Sequence, residues 1–245
     1  MRSTGIGAAF ALLLAAPVVA SPPNVIIKAK YTEPTSRYDH GILGDGAEWG
    51  ALQLTVDQCI DCETAMIRSV TIRLPETRVF EDIAPRLVDV DGDDLPEVLV
   101  IESDLALGAR LALYDESGLM AATPFIGRTN RWLAPLGVAD LDGDGRIELA
   151  YIDRPHLAKI LRIWRYEDKT LVPVADQPGL TNHRIGENYI SGGIRTCGGG
   201  SPEIITANAN WSRLFASTLV DGKITSRDIG PHTGPASFAS ALDCR

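Results

Sequence analysis

The 245-residue chain has no run of lysine or arginine. With 23 basic and 32 acidic residues its formal charge is −9, so it lacks the basic face that a nucleic-acid binder carries. No HExxH pair, no GxSxG elbow and no glycine-rich loop ending in GK[ST] occurs, which removes the common signatures of zinc peptidases, serine hydrolases and nucleotide-binding loops. Cys197-Gly198-Gly199-Gly200-Ser201 is rich in glycine but has no lysine to meet a phosphate. Long helical periodicity is absent beyond the first twenty residues. Beyond them, too, no segment is apolar for the roughly 20 residues that a spanning helix needs.

Those first residues read as a leader. Arg2 supplies a thin basic start, Ala8 to Ala20 is almost wholly apolar, and Val18-Val19-Ala20 before Ser21 resembles a small-residue cleavage site. A membrane anchor is the alternative, and the apolar stretch is short for one. The expected layout is a signal peptide at 1–20 and a single domain at 21–245, periplasmic or secreted, with no membrane insertion after cleavage. Four cysteines, all in the exported part, are then expected to pair, with three connectivities open.

Two acidic loops, 51 residues apart, stand out from this background. DVDGDDLPEV begins at Asp89 and DLDGDGRIEL at Asp140. Each places carboxylates at loop positions 1, 3, 5 and 9: Asp89, Asp91, Asp93 and Glu97, then Asp140, Asp142, Asp144 and Glu148. Like charges crowd at a cost unless a cation sits among them. A hard divalent ion with oxygen ligands, calcium, fits this donor set, with the backbone carbonyls of Leu95 and Arg146 as further ligands.

The loops belong to a longer repeat. Leu87-Val88-Asp89 corresponds to Val138-Ala139-Asp140, and Pro96-Glu97-Val98 to Ile147-Glu148-Leu149. A worn third copy spans Gly193 to Ile205, with Glu203 matching Glu148 and Arg195 aligned with the first aspartate. A fainter copy runs from His40 to Trp49. Each unit reads as short strands: Leu95–Ser103, Ala109–Asp115 and Met120–Ile126 after the first loop, then Ile147–Asp153, Lys159–Glu167 and Thr170–Ala175 after the second. Gly137-Val138-Ala139, Ser191-Gly192-Gly193 and Ala239-Ser240-Ala241 are small enough for inner strands near a crowded axis.

These features resemble the FG-GAP/VCBS repeat proteins, relatives of the integrin α-chain propeller. In that family DxDGDG-type loops join the first two strands of a blade and hold calcium. The resemblance implies an all-β fold, a small β-propeller. Counting units gives four full blades, and a partial fifth closed by the N- and C-terminal strands. Cys59 and Cys62, in a polar hairpin loop, are expected to bond locally. Cys197 and Cys244 are expected to lock the last seam between neighbouring inner strands.

Segments entering the inner strands also look alike: Thr35-Ser36-Arg37-Tyr38, Thr129-Asn130-Arg131-Trp132 and Thr181-Asn182-His183-Arg184. A propeller gathers Arg37, Arg131, His183, Arg184 and the nearby His40 on the face opposite the acidic loops. One reading is a site for an anionic or saccharide partner, protein or sugar, built on guanidinium forks and aromatic platforms. The other is that these residues tie neighbouring blades together. The expected role is therefore a calcium-binding module that binds rather than catalyses. An exported saccharide-active hydrolase or lyase using the same rim is the alternative.

Overall fold

Residues 98–101 and 149–152 are continuously apolar, and the strands that hold them, 97–104 and 148–153, are buried nearly throughout, as strands covered on both faces must be. They are the central strands around which the fold is built. The computed structural model describes residues 24–44, 46–59 and 62–245. The expected leader at 1–20 and Asp45 lie outside the described residues.

Apart from one short helix the described chain is β, in three antiparallel sheets. The first unit is the meander β1 (Val25–Thr35), β2 (Glu48–Asp57) and β3 (Ile67–Arg73). A short bridge, β4 (Arg78–Phe80), joins it to the second unit: β5 (Arg86–Val88), β6 (Glu97–Asp104), β7 (Gly108–Asp115) and β8 (Gly118–Ala122). The third unit is a sheet of its own: β9 (Leu133–Ala139), β10 (Glu148–Asp153), β11 (Ile160–Glu167) and β12 (Thr170–Pro178). The two-residue β13 (Leu180–Thr181) leads into the fourth: β14 (Gly193–Arg195), β15 (Glu203–Asn208), β16 (Arg213–Val220) and β17 (Lys223–Pro231). The helix α1 (Pro235–Leu242) ends the chain.

The units stack face to face, and side-chain alternation explains how. Val98 and Val100 point toward unit 1 and share a core with Leu52, Leu54 and Val56. Leu99 and Ile101 point the other way and meet Leu149 and Tyr151 of unit 3. Ala150 and Ile152 then face Ile204 and Leu219 of unit 4. The far face of unit 4, with Ile205, Ala207 and Leu214, is covered by Phe238 and Ala241 of α1. At the opposite end of the stack, the outer face of unit 1 is polar: Gln53 pairs with Thr71 and Thr55 with Ser69. The inner strands are crowded, as their small residues require. A Cβ at Gly137, whose φ is +143°, would stand 3.3 Å from Ile194 Cδ1 of the next unit.

Two expectations need correction. The composite fifth blade does not form. β1 pairs with β2 alone among the described residues, and Ala239-Ser240-Ala241 are helical rather than an inner strand. Alanine is the best helix former, Pro235 suits the first helical turn, and Phe238 and Ala241 fall on one side at a spacing of three. The residues at 40–49, read as a fainter copy of the acidic loops, form no converging carboxylate group among the described residues. Residues 41–47 connect β1 to β2, and the Gly186 N–H donates to the Ile42 carbonyl at 3.2 Å.

Candidate metal centre

Both acidic loops connect the first strand of a unit to its second: β5 to β6 and β9 to β10. The first aspartate winds each loop. Asp89 accepts the N–H groups of Gly92 at 2.8 Å and Asp94 at 3.1 Å. Asp140 accepts those of Gly143 at 2.7 Å and Gly145 at 3.0 Å. Loop position 6 needs a left-handed backbone, which Gly145 adopts readily (φ +84°). Asp94 takes the same turn at φ +64°, as aspartate does more easily than most residues. The closing glutamate is anchored identically in both: the Val90 N–H donates to Glu97 at 2.9 Å, and the Leu141 N–H to Glu148 at 2.8 Å.

The result is two groups of converging oxygens. One oxygen each from Asp89, Asp91 and Glu97 lies within 4.8 Å of the others, and so do those of Asp140, Asp142 and Glu148. An all-oxygen, carboxylate-rich donor set suits calcium or another hard cation. Asp93 and Asp144 stand outside these groups. Their carboxylates instead accept the backbone N–H of Leu95 and of Arg146, at 2.8 and 2.9 Å.

The surroundings of the loops differ. The first opens on a cleft of about 270 Å³ lined by Asp91, Asp93, Glu97, Asp115 and Glu116, with no basic residue. Burial pushes the Glu97 carboxyl up to about 7, reinforced by Asp91, Asp93 and Asp89. Burial and Asp93 also raise Asp91. In the second loop Arg165, directly across the ladder from Glu148, reaches three acids. Its Nε donates to Glu148 Oε1 at 2.5 Å, and its Nη2 to Asp142 Oδ2 at 2.7 Å. Its Nη1 lies 3.3 Å from Asp144 Oδ2. Asp144 is drawn down to about 2, chiefly by hydrogen bonds from Arg146. The worn third copy has no aspartate. Glu203 is instead held by Arg195 at 2.7 Å and Arg227 at 2.5 Å. Arg195 pairs with Glu203 in the ladder as Val88 pairs with Glu97, so it stands one position before the first aspartate rather than upon it.

Sequence reading missed Arg165, Arg227, Asp115 and Glu116 as neighbours of the loops. The available signal was strand pairing: the residue facing each closing glutamate can be counted along the hairpin once its turn is known.

At the opposite ends of the strands the expected rim residues are already engaged. Arg37 donates to the Arg78 carbonyl from both Nε (2.9 Å) and Nη2 (2.5 Å), and its Nη1 donates to Glu76 at 3.2 Å. His183 is fully buried. One ring nitrogen is 3.0 Å from His156 Nε2 and the other 2.8 Å from the Glu187 carbonyl. Burial drives the His156 pKa down to about 4, with His183 adding to the effect. Arg184 is exposed and lies over the Trp211 ring at 4.4 Å. Arg131 donates to its neighbour's carbonyl, that of Asn130, at 2.9 Å. His40 meets Glu81 at 2.5 Å, and the Tyr38 hydroxyl accepts the Asn130 N–H at 2.9 Å. A cavity of about 30 Å³ among His40, Arg131, Trp132, Arg154 and His156 has room for about one water.

Both disulfides are present: Cys59–Cys62, and Cys197–Cys244 with Cα atoms 5.8 Å apart. The second reaches the end of α1 rather than a terminal strand. Among the described residues no helix is long and apolar enough to cross a membrane.

No curated protein matches the chain. Residues 89–151, which hold both acidic loops and the strands between them, match the FG-GAP-like repeat family.

Proposed function

We propose that this chain is an exported, calcium-stabilised binding module whose four units are arranged as propeller-like blades. The observation that carries the calcium reading is the acid cluster at 89–97. Three carboxylates converge there, and the Glu97 carboxyl is 7% exposed, beside no basic residue. Burying such a group ionised is costly without a cation. Asp89, Asp91 and Glu97 would hold the ion, with Asp93 and the Leu95 carbonyl completing the set. Asp140, Asp142, Asp144, Glu148 and the Arg146 carbonyl are the corresponding groups of the second loop. Calcium supplies charge neutralisation at the turn between two strands. The chain's own residues wind that turn. Two disulfides suit an oxidising compartment such as the periplasm or the extracellular space.

For the partner, the reading is an anionic or saccharide ligand at the ends of the strands remote from the acidic loops. Arg131 and Arg184 are the cations available there, because Arg37 is tied to Arg78 and Glu76, and His183 is buried. The cavity beside them is too small for a sugar ring, so a partner would rest on the surface.

The test of the calcium reading is thermal unfolding of the mature protein in calcium and in chelator. Sites of this kind bind on the order of 10⁻⁴–10⁻³ M, and calcium at ten times the dissociation constant adds about 1.4 kcal/mol per site. A melting temperature that rises with calcium, and rises less in Asp91→Ala, supports the reading. Identical curves with calcium and chelator overturn it.

A further inference from the structure

The three repeats begin their second strands on the same glutamate, buried at Glu97 and Glu148 and partly buried at Glu203. They differ in what neutralises it. At Glu97 the charged residues that line the cleft are all acids, and the residue one step beyond the Val98–Tyr114 pair on the facing strand is Asp115. At Glu148 the facing residue is Arg165. At Glu203 the aspartates are gone and two arginines, Arg195 and Arg227, hold the carboxylate. We propose that arginine replaces the metal along this series. The loop at 89–97 takes calcium, Arg165 is the resident cation of the loop at 140–148, and Arg195 with Arg227 do the same for the fourth unit. This rests on the calcium reading above.

Competition for the same oxygens supports the assignment. A calcium ion at 140–148 would bind Asp142 and Glu148. The Arg165 guanidinium already donates to both of them, and it also lies against Asp144. Its side chain is 12% exposed, and the Glu148 side chain is fully buried. The strand register places Arg165 opposite Glu148, and its largely buried side chain is held by three carboxylates. A divalent ion placed among those oxygens would sit a few ångströms from a permanent positive charge, and each would repel the other. Binding calcium there requires expelling Arg165 and breaking its charge-assisted bonds. Among the described residues no basic side chain lines the cleft at 89–97. Two loops that share the same four carboxylate positions thus differ in affinity chiefly through a residue in another strand.

The experiment is equilibrium dialysis of the full mature protein against radioactive calcium at about 10 mM, roughly ten times the dissociation constant at the weak end of such sites, so that a site is about nine-tenths filled. Wild type is expected to bind one ion per chain, Asp91→Asn none, and Arg165→Gln two. Asp115→Arg, which gives unit 2 the cation of unit 3, is expected to bind none while keeping the wild-type near-ultraviolet spectrum. It keeps the proposal falsifiable should Arg165→Gln fail to fold. Two ions bound by wild type would overturn the role of Arg165 and leave the calcium reading standing. One ion bound by Arg165→Gln, or one bound by folded Asp115→Arg, would overturn it as well. No ion bound by any variant would remove the calcium reading itself.

Discussion

Cys197 and Cys244 are bonded across 47 residues of chain, and the bond joins the loop after β14 to the end of α1. Arg195, two residues before Cys197, donates to the Ala241 carbonyl of the same helix. The helix is therefore held to unit 4 at one end by a covalent and a charged contact, and along its length by Phe238 and Ala241.

The bond is expected to matter to the whole stack. A loop of this length corresponds to about 4 kcal/mol of chain entropy. Cys244→Ser should lower the unfolding free energy by up to that amount in denaturant titration. A midpoint unchanged from wild type under non-reducing conditions would show that the helix docks without the bond.

Phe238 is 4% exposed and packs edge-on against Trp211 and His232, with ring centroids 6.2 and 5.5 Å away. Phe238→Ala should cost about 3–5 kcal/mol, as large-to-small changes of buried aromatics do. It should also speed hydrogen exchange in β15 and β16, whose outer face it covers. Exchange that rises uniformly over all four units would contradict a local capping role.

The pH dependence of the calcium-free protein follows from Glu97. Its carboxyl is raised from 4.5 to about 7 in the folded state. Its contribution to stability is fully present below pH 4.5 and is lost as pH rises through 7. His156 works in the opposite direction, because its pKa is lowered on folding. The readout is therefore the difference between wild type and Glu97→Gln. In chelator, the stability of wild type relative to Glu97→Gln should fall between pH 6 and pH 8. Calcium should bind wild type more tightly at pH 8 than at pH 6. A wild-type affinity that does not change over this range would contradict the expectation.

At the strand ends remote from the acidic loops, Arg184→Gln removes a guanidinium lying over Trp211, worth about 0.5–1 kcal/mol at an exposed site. Arg131→Gln removes one bond to a neighbouring carbonyl. Both variants should keep nearly wild-type melting temperatures and lose retention on an anionic polysaccharide column. If the double variant unfolds several degrees early, the two arginines are structural and the rim site loses its support.

Much of this architecture was legible in the residues. The strands after Asp89 and Asp140 could be placed within a few residues because their apolar runs end at turn glycines or at charged hairpin tips. Gly118 and the Asp168-Lys169 turn are examples. Both acidic loops were readable because position-by-position spacing is what winds an aspartate-capped turn. The C-terminal segment misled because Ala-Ser-Ala satisfies the size limit of an inner strand and the helix propensity of alanine equally well. Only the exposed hydrophobic face of unit 4, created by Ile205 and Ala207, decides between them. Arg165 was hidden for a different reason. Its significance depends on facing Glu148 across the β10–β11 hairpin, seventeen residues away, and a local motif does not contain that register.

The central claim is that the carboxylates at 89–97 hold a metal ion. Crystals of the protein grown with calcium and soaked in a lanthanide would locate it directly by anomalous scattering. The account predicts a peak coordinated by Asp89, Asp91 and Glu97. A saturated soak that leaves this position without density, with the three side chains ordered, would contradict it.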